Sequence, residues 1–247
     1  MPLPPDTTDP VSATTKNPTQ IRRMFGAIAG KYDFLNHFLS LGIDRSWRRR
    51  TAGLVKPSSG GPILDVCSGT ADLALEYARA GGRNISVVGT DFCREMLNIA
   101  SLKCRSRSEG NRIQLVESDA CRLPFRDGAF EIVCVAFGLR NVGDTQKGLN
   151  EMVRVCQAGG RVAILEFSMP QGKVAGRLYA WYFRSLLPLV GQLLTGSPQK
   201  AYHYLPESVL GFPQGEDLMK RMRGAGLRDV FIKRFTFGIA TLYVGTK

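Results

Sequence analysis

The middle of the chain alternates short apolar runs with helix-like segments, and this alternation constrains the fold more than any other feature. The apolar runs cover residues 63–67, 85–91, 113–117, 130–137 and 161–167. Segments of helical length at 71–80, 93–106 and 144–156 separate most of them. Strands that alternate with helices of this length indicate βαβ units and a mainly parallel sheet.

The C-terminal part has a different pattern. Residues 215–225 predict a helix, and residues 229–235 and 239–244 predict two strands joined by a tight turn at Gly238. An antiparallel hairpin beside parallel strands is a common mixed arrangement. The sequence therefore predicts an α/β fold: a mainly parallel seven-stranded sheet with a C-terminal antiparallel hairpin and helices on both faces.

The 247 residues suit one large domain. Residues 1–18 are rich in Pro, Thr and Ser and are predicted to be a disordered tail, and residues 19–247 to be a single domain. Within it, 19–56 is a basic helical cap that contains 45-RSWRRR-50, and 170–212 is an insertion. The apolar stretch 174–194 is interrupted by two arginines and a proline. This disfavours a membrane span and leaves an interfacial helix, a lid or a core helix as alternatives.

The net charge of +12 indicates an anionic partner, namely nucleic acid, a membrane surface or an acidic ligand, with a solvated basic surface as the alternative. The six cysteines include no Cys-x-x-Cys pair, and there are two histidines. We therefore expect neither a disulfide framework nor a metal site. Buried free thiols and a polar N-terminus predict a cytoplasmic protein.

Acidic and small residues follow the first three strands, where a parallel sheet binds its ligands. The loop 67–71 contains Gly69 and Thr70 but lacks the three glycines of a dinucleotide site. Asp72, in the first turn of the next helix, would repel a pyrophosphate and favours a cationic ligand. Asp91 can accept hydrogen bonds from ribose hydroxyls, and Asp119 from an adenine amino group. Together they predict S-adenosylmethionine as the cofactor.

Longer motifs resemble known families. The pattern Asp-x-x-x-Gly-Thr-x-Asp at 65–72, together with 91-DF-92, 95-EML-97 and 119-DACRLPF-125, resembles class I S-adenosylmethionine-dependent methyltransferases. The blocks 32-YDFLNHFLSLGIDRSWRR-49, 137-FGLRNV-142 and 203-HYLPESV-209 resemble the quinone C-methyltransferase family, from about residue 21 onward. The resemblance implies a Rossmann-like class I fold and cofactor contacts from Asp65, Gly69, Thr70, Asp91, Asp119 and Ala120. Two positions depart from the family pattern. Ala71 stands where many relatives have glycine, and Ala136 stands where some relatives have serine.

The resemblance also implies the reaction, which is C-methylation of a membrane-resident polyprenyl quinol. Demethylmenaquinol is the favoured acceptor, and the benzoquinol precursor of ubiquinone is the alternative. Arg140 is predicted to stabilise the developing phenolate, although a structural pair with Asp119 or Asp144 is the alternative, and Asn141 to assist by hydrogen bonding. His203 is the candidate proton acceptor. Substrate contacts are predicted from Tyr32, Asp33, Asn36, Tyr202 and Tyr204.

A polyprenyl substrate predicts an enzyme that docks peripherally on the inner face of the membrane, through the basic block 45–50 and the apolar stretch 174–194. The oligomeric state stays open, a homodimer included. A nucleic-acid methyltransferase is a weaker alternative, because residues 137–140 read Phe-Gly-Leu-Arg in place of Asn/Asp-Pro-Pro-Tyr and the chain has no Pro-Cys. A non-enzymatic binding module is disfavoured by the full set of acidic strand ends.

Overall fold

The computed structural model describes residues 17–58, 60–82, 84–170 and 207–247, apart from the side chains at 35, 38 and 39. The basic N-terminal segment forms two helices, α1 (Pro18–Leu39) and α2 (Ile43–Leu54). They are joined by a tight turn in which Leu41 and Gly42 both have positive φ. The predicted tail, and most of the predicted insertion at 170–212, lie outside the described residues.

Seven strands form one sheet in the order β3-β2-β1-β4-β5-β7-β6. They are β1 (Ile63–Val66), β2 (Val87–Asp91), β3 (Ile113–Glu117), β4 (Phe130–Ala136), β5 (Cys156–Phe167), β6 (Arg228–Phe235) and β7 (Ala240–Thr246). Strands β1 to β5 pair in parallel, and β7 runs antiparallel to both β5 and β6. The predicted mixed sheet with a C-terminal hairpin is confirmed.

Further helices flank the sheet, among them α3 (Asp72–Ala80), α4 (Arg94–Arg105), α5 (Thr145–Val155) and α6 (Glu216–Gly224). Two apolar clusters form the core. Ile63 belongs to the cluster that includes α3, and its neighbour Leu64 to the cluster that includes α5 and α6. Because adjacent side chains in a strand point to opposite faces, the clusters cover the two faces of the sheet. Strand β1 is buried along its whole length, as expected for a central parallel strand.

The predicted boundary was wrong at β5, which begins at Cys156 rather than at residue 161. Cys156 pairs with Phe130, and the register then shifts before Arg161 pairs with Ile132. The intervening residues bulge out of the ladder, and Gly159 and Gly160 lie inside the strand. Elsewhere the predicted elements differ from the observed ones by one or two residues.

Among the described residues, no helix is long and apolar enough to cross a membrane.

Candidate functional site

A cavity of about 990 Å³ lies at the carboxyl ends of the parallel strands. The loops that follow β1, β2, β3 and β4 line it, and residues of α1 and α2 close it on one side. This is the position at which parallel sheets bind their ligands, beside the central strand where the strand order reverses.

The loop after β1 is held by hydrogen bonds to its neighbours. Ser68 N donates to the carbonyl oxygen of Thr90 at 2.8 Å, and Gly69 N donates to Oδ2 of Asp91 at 2.9 Å. The carboxylate of Asp65 accepts from Ser68 Oγ at 2.8 Å and from Ala74 N at 3.1 Å. The carboxylates of β1 and β2 therefore fix the shape of the loop.

Both of these carboxylates are buried, and their acidity changes accordingly. Burial raises the pKa of Asp91 to about 6, although the N–H groups of Cys93 and Gly69 partly offset the effect. Burial likewise raises the pKa of Asp65 to about 7, against the hydrogen bonds from Ser68 and Ala74. At neutral pH the carboxylate of Asp91 is mainly ionised and can accept hydrogen bonds from a ligand.

The loop after β4 packs closely against the loop after β1. A Cβ placed on Gly138 would lie under 3.0 Å from the Cβ of Cys67. Real Cβ atoms do not approach so closely, so position 138 requires glycine. Packing therefore requires the glycine of the Phe-Gly-Leu-Arg motif, and the motif also borders the cavity.

An aromatic wall stands at the ends of β4 and β5. The rings of Phe137 and Phe167 lie 4.4 Å apart, and Trp47 of α2 packs on both at 6.1 and 6.2 Å. The guanidinium of Arg48 lies 5.2 Å from the centre of the Phe137 ring, and that of Arg140 lies 5.3 Å from the centre of Phe167. Phe137 and Arg48 also line the cavity, so an aromatic face and a cation border its interior.

Arg140 is buried and pairs with Glu166 of β5. Its guanidinium donates to Oε2 of Glu166 at 2.9 Å and to the carbonyl oxygen of Phe137, and its backbone N donates to Oε1 at 3.2 Å. The structural alternatives of Asp119 and Asp144 were therefore wrong, because the partner is Glu166. Arg140 is not among the residues that line the cavity, whereas its neighbour Asn141 is.

An ion-pair network connects α1 and α2 to the loop after β1. Lys103 of α4 pairs with Asp33 and Asp72, and Thr70 Oγ1 donates to Asp33 and accepts from Lys103. Thr70 thus binds neighbouring elements rather than capping α3. On the other side of Asp72, Arg48 lies 3.9 Å away.

Asp72 is thereby partnered by protein cations, and it also lines the cavity, so its predicted contact with a cationic ligand stays a prediction. Burial alone would raise the pKa of Asp72, but Arg48 and Lys103 hold it below its usual value. His37, Asp44 and Asp72 have potential metal-ligand atoms within 4.8 Å of one another. Because Arg48 pairs with Asp44 and Lys103 with Asp72, we assign this group to the ion-pair network.

Most predicted site residues lie at the cavity. Those that line it are Tyr32, Asp65, Gly69, Thr70, Asp91, Asp119, Ala120 and Asn141. Asp33 accepts a hydrogen bond from the side chain of Thr70, and Asn36 makes a hydrogen bond to the side chain of Tyr32. His203, Tyr202 and Tyr204 lie outside the described residues, and their roles stay predictions.

Sequence reasoning missed three contributors: Glu166, Arg48 and the stack of Phe137 on Phe167. Glu166 carried a signal, since it is the one charged residue in the otherwise apolar run 162–167. Arg48 was counted as part of the basic block 45–50. It differs from the other arginines of that block because it is buried, on the face of α2 that meets the cavity.

The cavity fits S-adenosylmethionine. A Cβ added at Gly69 would meet no described atom within 4 Å, so the loop leaves room for a ligand. Within the described part of the chain, Ser118 Oγ and Asn141 Oδ1 are buried without a hydrogen-bond partner, and both residues line the cavity. Buried polar atoms of this kind are usually satisfied by a ligand or by water.

Solved structures share this fold. An S-adenosylmethionine-dependent methyltransferase from Thermotoga maritima superposes with a TM-score of 0.62 at 17% identity, covering 92% of this chain and 99% of the other. Another from Aquifex aeolicus gives a TM-score of 0.59 at 16% identity, covering 80% and 88%. The fold is that of the class I S-adenosylmethionine-dependent methyltransferases.

More particularly, the chain belongs to the ubiE/COQ5 methyltransferase family, whose model matches residues 13–247. It is 44% identical over 233 residues to a ubiquinone/menaquinone biosynthesis C-methyltransferase of Geobacter sulfurreducens, covering 94% of this chain and 90% of the relative. It is 43% identical over 227 residues to a demethylmenaquinone methyltransferase of Deinococcus radiodurans, covering 92% of each. A demethylmenaquinone methyltransferase of Bacteroides fragilis is 38% identical over 247 residues, which is 100% of each chain.

Proposed function

We propose that the chain transfers a methyl group from S-adenosylmethionine to a ring carbon of a polyprenylated quinol, converting demethylmenaquinol to menaquinol. The benzoquinol precursor of ubiquinone is the second candidate acceptor, because several relatives, that of Geobacter sulfurreducens among them, are named for both pathways. The observation that carries the proposal is the aromatic wall. Phe137 lines the cavity and can contact a flat ring there, and Arg48 and Arg140 lie beside the two rings of the wall.

Cofactor binding is assigned to the strand-end residues. The ionised carboxylate of Asp91 accepts hydrogen bonds from the ribose hydroxyls, and Asp119 and Ala120 contact the adenine. Gly69 and Thr70 allow close approach of the loop after β1, and Asp65 holds that loop in place. When bound, S-adenosylmethionine supplies an electrophilic methyl group on a cationic sulfur.

The chain's own residues act on the quinol ring. A ring carbon becomes nucleophilic as a ring hydroxyl loses its proton, so the site must stabilise a phenolate. Arg48 at the cavity and Arg140 beside Phe167 provide positive charge. Asn141 Oδ1 is available to accept a hydrogen bond from a ring hydroxyl.

Tyr32 of α1 also lines the cavity. Burial raises the pKa of Tyr32, although Arg140, Asn36 and Arg48 partly offset the effect. Its hydroxyl therefore stays protonated at neutral pH and can donate a hydrogen bond to a ring oxygen.

Methylation replaces one ring hydrogen by a methyl group and releases one proton overall. We assign proton acceptance to His203, and further ring contacts to Tyr202, Tyr204, Asp33 and Asn36. The segment 170–212 is proposed to cover the polyprenyl tail and the cap 19–56 to close the site. Because a substrate with such a tail resides in the membrane, we propose that the enzyme associates peripherally with its cytoplasmic face.

Incubation of the protein with S-adenosylmethionine and each candidate quinol, followed by mass spectrometry, tests the proposal. We expect the naphthoquinol to be methylated, and methylation of the benzoquinol is measured in parallel for comparison. Methyl transfer to neither quinol by protein that binds S-adenosylmethionine would refute it. Methylation of the benzoquinol alone would select the second candidate.

A further inference from the structure

Two turns beside α2 expose large apolar side chains in a strained backbone conformation. Leu41, in the α1–α2 turn, has φ of 52°, and Phe237, in the β6–β7 turn, has φ of 56°. Each is 84% exposed. Left-handed backbone is uncommon for large side chains and favours glycine or asparagine. Folding alone gives no reason to place leucine and phenylalanine at these two positions, and strain of this kind concentrates at functional surfaces.

The two turns belong to one surface because both lie along α2. Leu41 precedes the first residue of the helix by two positions. Trp47 Nε1 donates to Thr236 Oγ1 at 2.8 Å, and the guanidinium of Arg50 lies 4.9 Å from the centre of the Phe235 ring. The β6–β7 turn therefore packs against the middle of α2.

The outward face of α2 is basic and partly apolar. Arg45, Arg49 and Arg50 are exposed, as is Ile43, whereas the helix's acidic residue, Asp44, is buried. We call the exposed side chains of Leu41, Ile43, Arg45, Arg49, Arg50 and Phe237 the α2 surface. It combines apolar tips with cations, which is the composition that an anionic lipid interface attracts.

The opposite face of the same helix meets the cavity. Arg48 lines the cavity, and Trp47 packs on Phe137 of the aromatic wall. The α2 surface is thus separated from the proposed quinol site by about one helix diameter, roughly 10 Å. An apolar substrate that leaves the bilayer beside α2 has a short path to the site.

We infer that the α2 surface docks on an anionic lipid bilayer, with Leu41 and Phe237 inserted below the headgroups and the three arginines at the lipid phosphates. The inference deepens the proposed function, since it rests on a substrate that resides in the membrane. Cations alone would also suit nucleic acid, but a phosphate backbone offers no apolar layer for the two tips.

Vesicle flotation of the full chain tests the surface, with phosphatidylcholine vesicles and with vesicles that also contain phosphatidylglycerol. Leu41→Asn with Phe237→Asn removes the tips, since asparagine tolerates the left-handed backbone. This double variant should lower partition into both vesicle types by about tenfold or more. Arg45→Gln with Arg49→Gln should remove the preference for anionic vesicles. Leu102→Gln, at a residue of α4 that is 66% exposed, is the matched control and should bind as the wild type does.

Activity on a short-chain, water-soluble quinol without vesicles separates the two proposals. The variants should keep wild-type turnover on this acceptor, which also shows that they fold. Wild-type partition by both double variants, with activity retained, overturns the docking surface. Loss of salt-dependent RNA retention in the arginine variant, with vesicle binding unchanged, would assign the surface to nucleic acid and overturn it too. A wild-type protein that methylates no quinol refutes the proposed function, whatever the vesicles show.

Discussion

The guanidinium of Arg140 lies 2.9 Å from the carboxylate of Glu166, and both side chains are almost fully buried. Glu166 also accepts the backbone N–H of Arg140, so one carboxylate fixes both ends of the residue. The Phe-Gly-Leu-Arg motif is therefore anchored from the neighbouring strand. We regard Glu166 as the residue that positions Arg140 beside the aromatic wall.

Replacing Glu166 should affect turnover more than cofactor binding. Glu166→Gln keeps the shape and one acceptor but removes the charge that orients Arg140. We expect turnover to fall by about ten- to a hundredfold, while the dissociation constant for S-adenosylmethionine changes little, as also expected for Arg140→Ala. Calorimetry and steady-state kinetics separate the two effects. Equal losses in both quantities would show a general disruption instead.

The same pair predicts a stability difference. Glu166→Ala leaves a buried guanidinium without its carboxylate, which typically costs about 3–5 kcal/mol. Glu216 and Arg223 form an ion pair on the exposed surface of α6, and Glu216→Ala should cost less than about 1 kcal/mol. Urea unfolding of both variants measures the contrast. Similar costs in the two would contradict the assigned burial.

The order of strands and helices was predictable because apolar periodicity follows burial directly. The fold of β5 was predicted less well, since its bulge depends on pairing with Phe130, which local sequence does not reveal. At the site, Asp91 and Asp119 were found from their positions after strands. Glu166 was not, because its importance comes from a partner 26 residues away in the chain.

The ion pairs of Asp72 were not predictable either. Asp72 follows the loop after β1, and its position alone indicated a ligand contact but not its protein partners. The partners that neutralise it come from α2 and α4, and nothing near Asp72 in the sequence indicates that Arg48 and Lys103 converge on it.

Cofactor affinity should depend on pH through Asp91. The pKa of this buried carboxyl is about 6, and the ribose hydroxyls require the ionised form. Affinity should be constant above about pH 7 and fall roughly tenfold per unit well below pH 6. Asp91→Asn should bind weakly at every pH and show no inflection near 6. Asp127→Asn, at an exposed residue, is the control and should keep the wild-type profile.

Fold stability should depend on pH through Asp65. Its folded-state pKa of about 7 lies above the ordinary value of 3.8, so the folded protein holds a proton that the unfolded chain releases. The contribution of Asp65 to stability is therefore fully present below about pH 4 and is lost as the pH rises to about 7, by on the order of 1 kcal/mol per unit. Asp65→Asn keeps an acceptor for Ser68 and Ala74 and should flatten this fall. Urea midpoints between pH 5 and 8 provide the test, and equal slopes would exclude Asp65 as the cause.

The contact between the loops after β1 and β4 predicts a loss and its rescue. Gly138→Ala places a Cβ against that of Cys67, and the displaced loop should weaken S-adenosylmethionine binding by at least about tenfold, in addition to the stability loss of about 1–3 kcal/mol expected for overpacking. Cys67 has φ of 53°, which glycine adopts freely, so Cys67→Gly removes the obstructing atom without straining the backbone. The double variant Cys67→Gly with Gly138→Ala should recover most of the affinity. Gly53→Ala, in an open position of α2, is the control and should leave binding unchanged. If Cys67→Gly restores nothing, steric contact between the two loops is not what limits position 138.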